Sequence, residues 1–165
     1  MTQKEIILEQ LAACHDHKGW FVAMTDALAG LDAARAAKGP EASSPSIWQI
    51  VYHITYWNER TLRRITGAAL DPVVTKNEDS FGPAGSGDEA AWKALQGRFA
   101  AVMNDLAAAV RSAPEEKLQG PVTPGGKEVW LETLAHLTLH AAHHIGQIVT
   151  LRKLQGSWDA RNGVS

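Results

Sequence analysis

Residues 134–148 read LAHLTLHAAHHIGQI, and two patterns run through them together. Leu134, Leu137, Ala141, Ile145 and Ile148 recur every three or four residues, the period at which side chains stack on one face of an α-helix. Histidines stand at 136, 140, 143 and 144, four of the seven in the chain. At about 100° per residue, His140 and His144 fall on the border of the apolar face, roughly 60–120° from its middle, one helical turn apart. His136 and His143 fall farther round, on the expected outer side. A helix with this face needs other helices to cover it.

Working outward, three more segments carry the same period. The first spans about Thr2 to Ala37, with Ile7, Leu8, Leu11, Cys14, Phe21, Met24, Leu28 and Leu31 near the required spacing, and Gly19 and Gly30 as irregularities. After a Gly/Pro/Ser break ending at Ser43, Ser44 is placed to cap a second helix with Pro45 at its first position; it runs to about Thr66, before Gly67. Arg60, Arg63 and Arg64 lie in its last turns, where the helix dipole favours cations. A third opens at Ser86-Gly87-Asp88-Glu89, with capping-box spacing, and ends near Ser112, ahead of Pro114. The fourth follows Thr123-Pro124-Gly125-Gly126 and ends near Leu154. Pro72 to Thr75 is the only short β-branched run, so the fold class is all-α.

The second connection, Gly67 to Gly85, has about 19 residues, whereas neighbouring antiparallel helices are usually joined by 2–8. At about 3.3 Å per residue it can reach some 60 Å, against about 35 Å for a helix of 23 residues. It is long enough to return along a whole bundle and leave the second and third helices parallel, as in four-helix bundles with a crossover.

Composition bounds the rest. The 165 residues carry 16 Lys plus Arg and 18 Asp plus Glu, a formal charge of −2. That length suits one domain able to bury roughly 68–70% of its unfolded surface. Residues 1–156 are read as the bundle and 157–165 as a frayed C-terminal tail. Balanced charge without a Lys/Arg cluster gives no footprint for nucleic acid or an anionic membrane surface. No apolar run reaches the roughly 18 residues of a membrane span, and the first residues lack a secretory pattern. The single cysteine excludes an intrachain disulfide and a Cys-rich metal site. A reducing, cytoplasmic setting is expected.

On the second helix Ile47, Ile50, Ile54, Trp57 and Ile65 mark the apolar face, and His53 falls at its border. His53, His140 and His144 together would offer three neutral imidazole nitrogens, a set that zinc, nickel, iron or copper accepts. Three protein ligands leave a position for water or substrate. The competing reading makes each of them an ordinary hydrogen-bonded or solvated histidine at a helix border.

The run His140-Ala-Ala-His143-His144-Ile-Gly146-Gln147-Ile148, with Trp48-Gln-Ile-Val-Tyr-His53-Ile-Thr-Tyr-Trp57 on the second helix, resembles the DinB-like (DinB/YfiT) four-helix-bundle family. The resemblance extends over nearly the whole length. It implies an up-down-down-up bundle, often a homodimer, holding one divalent metal ion on a second-helix His and two fourth-helix His, here His53, His140 and His144. It implies a small-molecule substrate and, in the characterised branches, a metal that activates a low-molecular-weight thiol for transfer to an electrophile. Metal-dependent hydrolysis and non-catalytic metal binding, as in a stress protein, stand as alternatives.

Other residues receive plainer readings. Cys14, among apolar neighbours, reads as core, so a cosubstrate thiol would be exogenous. His15 and His17, two apart, read as solvated. His143 reads as a surface or interface residue, and Gln147 as a solvated residue or one that orients a ligand. Gly146 with Ala135 and Ala142 forms a small-residue face that another helix could approach. Trp20, Trp48, Trp57, Trp92 and Trp130 read as core or interface anchors, with Trp57 also a candidate wall of the site. Glu59 and Glu132 fall outside, and the absence of His-Glu-x-x-His argues against peptide hydrolysis.

Overall fold

The computed structural model describes residues 1–40, 44–70 and 76–163. Four long helices form the bundle: α1 (Gln3–His15), α4 (Ile47–Thr66), α5 (Glu89–Ser112) and α7 (Trp130–Leu154). Three short helices, α2 (Met24–Leu28), α3 (Ala33–Ala37) and α6 (Glu115–Gln119), fill the connections, and no strand forms among the described residues. Within the long first segment only α1 is a sustained helix. The chain leaves it after His15 and re-forms two single-turn helices, so the expected continuous helix to Ala37 is corrected to three pieces. Gly30, at φ +68°, turns the chain between the second and third of these. The β-branched run at 72–75 lies outside the described residues.

The caps follow local chemistry. Thr2 and Glu5 form a capping box on α1, and Ser46 and Gln49 form one on α4, two residues later than the expected Ser44 cap. Gly67 closes α4 in the left-handed region at φ +75°, where a side chain would be strained. Asp88 caps α5 by accepting from the Ala91 amide, whereas Glu89 reaches across to accept from the Ala33 amide at 3.0 Å, supplementing the Asp32 cap of α3. α7 begins only at Trp130, because the Val122 and Trp130 amides bond the Glu128 and Gly120 carbonyls and hold 120–129 as a turn.

Contacts along the helices fix their directions. Lys4 meets Ala113 and His15 meets Phe99, so α1 and α5 are antiparallel. Trp48 lies on Trp92 and Asn58 on Met103, so α4 and α5 run parallel. His53 faces His140 while Arg64 faces Glu128, so α4 and α7 are antiparallel. The bundle is therefore up-down-down-up, with the crossover between α4 and α5. That crossover packs closely on α4 through two glycines: a Cβ on Gly82 would stand 2.6 Å from the Tyr52 ring and one on Gly85 2.5 Å from Trp48. Its 3₁₀ turn, Asn77–Phe81, is thereby laid across the face of α4 that carries His53.

The core collects Leu11, Met24, Ile47, Ile50, Ile54, Trp92, Leu134, Ile145 and Ile148, all essentially inaccessible. Burying a side chain of this size contributes roughly 1.5–3 kcal/mol. Ser157 and Trp158, just after Gly156, are tied down: buried Arg152 donates to the carbonyls of Ala27, Ala29 and Ser157 and lies over Trp158. Among the tryptophans Trp20 is fully exposed and anchors nothing within the chain, a correction to its reading as a core residue. Gly146 also faces open space, so no helix of this chain uses that position of the small-residue face.

Candidate metal centre

His53 enters from α4, and His140 and His144 from successive turns of α7. Antiparallel packing of those helices brings the side chains to one level. His140 Nε2 lies 3.0 Å from His53 Nε2 and 3.0 Å from His144 Nε2, and all three ligand nitrogens fall within 4.8 Å of one another. Three nitrogens bound to one zinc-like ion at tetrahedral angles would stand about 3.3 Å apart, given Zn–N distances of roughly 2.0–2.1 Å. The two separations from His140 match coordination to within a few tenths of an ångström.

The other nitrogens of His53 and His144 are engaged. His53 Nδ1 is 2.7 Å from Ser80 Oγ. The Ser80 hydroxyl donates in a short bond to the Asn77 carbonyl, so its oxygen accepts from His53 Nδ1–H. His144 Nδ1–H donates to Gln147 Oε1 at 2.7 Å. With the proton fixed on Nδ1 in both rings, both Nε2 lone pairs point into the shared space. Such outer partners set the tautomer and ring orientation of a metal-ligating histidine.

Electrostatics agree. Burial, then the neighbouring His140 and His144, pushes the His53 pKa down to about 3. Burial, then His144 and His143, takes His140 to about 4. Burial also lowers His144, partly opposed by its bond to Gln147. The rings are therefore neutral near pH 7, the state a cation requires. Two lone pairs with one N–H between them cannot all be satisfied within the triad, and a divalent ion there would supply the missing partner. The residues present thus fit the metal.

Surrounding groups divide the site into a closed side and an open side. Phe81 stacks on His53, with ring centroids 3.9 Å apart and planes within 8°, and meets His144 edge-on at 6.2 Å. His53 and His144 are buried, while His140 is the half-exposed member. On its side lies a cleft of about 370 Å³ whose walls include Trp57, Leu137 and His136. Trp57 does form a wall of the site, while His136, expected on the outer face, lines the cleft without joining the triad. His143 is exposed, its ring 5.2 Å from that of His144. Gln147 orients His144 through a direct bond.

Ser80 and Phe81 escaped the sequence reading. They sit in the crossover, where periodicity has nothing to say, and only Gly82 and Gly85 hint that the segment packs tightly. Elsewhere, Cys14 is core as expected: it donates to the Thr138 carbonyl, and burial raises its pKa to about 11. His15 is buried against Phe99, not solvated, whereas His17 is exposed. Glu59 faces out and pairs with Arg98.

The family model described as the DinB superfamily matches residues 20–148, which contain all three histidines, and the chain belongs to that superfamily. No curated protein and no solved structure matches it.

Proposed function

We propose that this DinB-superfamily chain is a metal-dependent enzyme in which His53, His140 and His144 hold one divalent ion, and that it transfers a low-molecular-weight thiol to an electrophile. The observation that carries the reading is the convergence of three Nε2 atoms, two of them with Nδ1 fixed by Ser80 and Gln147. The ion would supply Lewis acidity that favours a thiolate at neutral pH. In the transfer the thiol gives up its proton, the sulfur bonds to an electrophilic carbon, and the leaving group departs with its electron pair.

The chain's own residues support each requirement. Phe81 shields one side of the triad and the cleft beside His140 admits small molecules from the other. Cys14 is buried and held in its thiol form, so the sulfur must come from outside. No carboxylate lines the cleft among the described residues, and a hydrolase using water in place of the thiol would want such a base. No described helix is long and apolar enough to cross a membrane. The setting we propose is the cytoplasm, with a homodimer in which a second copy covers exposed Leu139 and the open side of Gly146.

Metal-loaded protein assayed with and without a small thiol against electrophilic and ester substrates tests the reading. Turnover of the electrophile that requires both thiol and metal is expected. Ester hydrolysis indifferent to thiol would establish the hydrolase instead, and stoichiometric metal with no turnover in either series would establish a metal-holding protein.

A further inference from the structure

The cleft beside His140 is the described route to the triad, because Phe81 covers His53 and both His53 and His144 are buried. A molecule whose donor atom reaches the ion must therefore lay its remainder in this cleft, and its lining says what that remainder is. Trp57 and Leu137 provide an indole and an aliphatic surface. Thr61 and Thr133 face the same space, but the Thr61 hydroxyl donates to the Trp57 carbonyl at 2.9 Å, and the single Thr133 hydroxyl proton is shared between the Glu128 carboxylate at 2.9 Å and the Val129 carbonyl at 3.0 Å. Asn77 and His136 supply the polar end.

Among the described residues no Asp, Glu, Lys or Arg lines the space. The charges near its rim, Arg64 and Glu128, are paired with each other at 3.2 Å, and Glu128 also accepts from Thr133. Beyond the proposed ion itself, a carboxylate or phosphate in this open cleft would meet no lysine or arginine among the described lining residues, while the Glu128 carboxylate stands near His136, so the walls offer an anion no partner. A volume of about 370 Å³ falls in the small-molecule range, and a flat ring fits the indole.

We propose that this cleft selects ligands with an uncharged, flat apolar body, which rests on Trp57 and Leu137 while Asn77 and His136 hydrogen-bond its polar end, the donor sulfur alone reaching the ion. The assignment rests on the metal and thiol reading above and names the substrate class for it: uncharged aromatic thiols or thiol-bearing conjugates rather than polyanionic ones. His136 is thereby a specificity residue and not a metal ligand.

Cobalt(II)-loaded full-length protein separates the two claims, because a thiolate on cobalt gives a charge-transfer absorption that needs no turnover. Titrations with 4-acetamidothiophenol and 4-mercaptobenzoate compare aromatic thiols that differ in the charge of the para group. The uncharged thiol should bind at least about tenfold more tightly, and His136→Arg, placing a cation in the cleft, should bring the ratio below about threefold or invert it while cobalt content stays unchanged. Equal or tighter binding of the carboxylate by the unaltered protein, or an unmoved ratio in His136→Arg, would overturn the cleft assignment and leave the metal centre standing. Failure to take up cobalt, or no charge-transfer band with either thiol, would overturn the metal and thiol reading and the cleft assignment with it.

Discussion

Two clusters of buried titratable groups lie on different faces of the same bundle, and only one of them can do chemistry. At the end of α1, Cys14 and His15 are as buried as His53 and His144. Yet Cys14 spends its proton on the Thr138 carbonyl, and burial holds its pKa near 11, while His15 meets the edge of Phe99. Between α4 and α7, burial likewise suppresses charge, but the Nε2 atoms are turned toward one another, and among the described residues no carboxylate joins them. Burial keeps Cys14 and the triad rings neutral. Convergent, unspent lone pairs make one of them a site.

The largest expected break in that contrast comes from the ligands. His53→Ala, His140→Ala and His144→Ala should each weaken metal affinity by more than about 100-fold, beyond what loss of an outer partner causes, while His143→Ala and His136→Ala stay at the level of the unaltered protein. Metal content after dialysis against a weak chelator reads this directly; a normal ion in any of the first three would remove that residue from the set.

Acid should act next. The unfolded chain's imidazoles protonate near pH 6.5, whereas folded His53 and His140 do so only near 3 and 4, so between those values the unfolded state binds more protons. The stability the neutral rings contribute to metal-free protein is thus fully present above about pH 6.5 and is lost as pH falls through the folded values. Chelator-treated protein should melt at steadily lower temperature from pH 7 to 5, while metal-loaded protein keeps its ion at pH 6 and releases it as pH approaches 4. Metal release centred near pH 6.5 would mean exposed, unshifted ligands.

Outer partners rank third. Ser80→Ala and Gln147→Leu free the Nδ1 atoms and should cost about 10–100-fold in metal affinity with little change in far-ultraviolet circular dichroism. Smallest is Cys14→Ala, expected to shift stability by about 1 kcal/mol and metal affinity not at all. In the unaltered protein iodoacetamide at pH 8 should leave Cys14 unmodified until the chain is unfolded; rapid native alkylation would contradict its assignment to the core.

How much of this the residues disclosed differs by region. Period and turn chemistry were enough for α4, α5 and α7, because each pairs a long amphipathic stretch with a cap or a breaker, such as Asp88 or Gly67. They were not enough for residues 16–37, where apolar spacing persists although Gly19 and Gly30 interrupt the helix, nor for α6, whose five residues are too short to show a period. For the triad, the i, i+4 spacing of His140 and His144 was visible, and His53 stood at a matching border. The wheel placed His136 on the outer side, where it is exposed, but could not show that it also borders the open cleft beside His140. Ser80 and Phe81 were likewise beyond reach: their role depends on where a crossover lands, which tight packing at Gly82 and Gly85 decides.

The central claim is that three imidazoles from two helices share one cation. Crystals of protein loaded with stoichiometric zinc, with anomalous diffraction collected at the zinc edge, test it without reference to any substrate. The account predicts one anomalous peak per chain at roughly 2.0–2.2 Å from the Nε2 atoms of His53, His140 and His144. A peak elsewhere, or an ion lacking any one of these nitrogens, would contradict it.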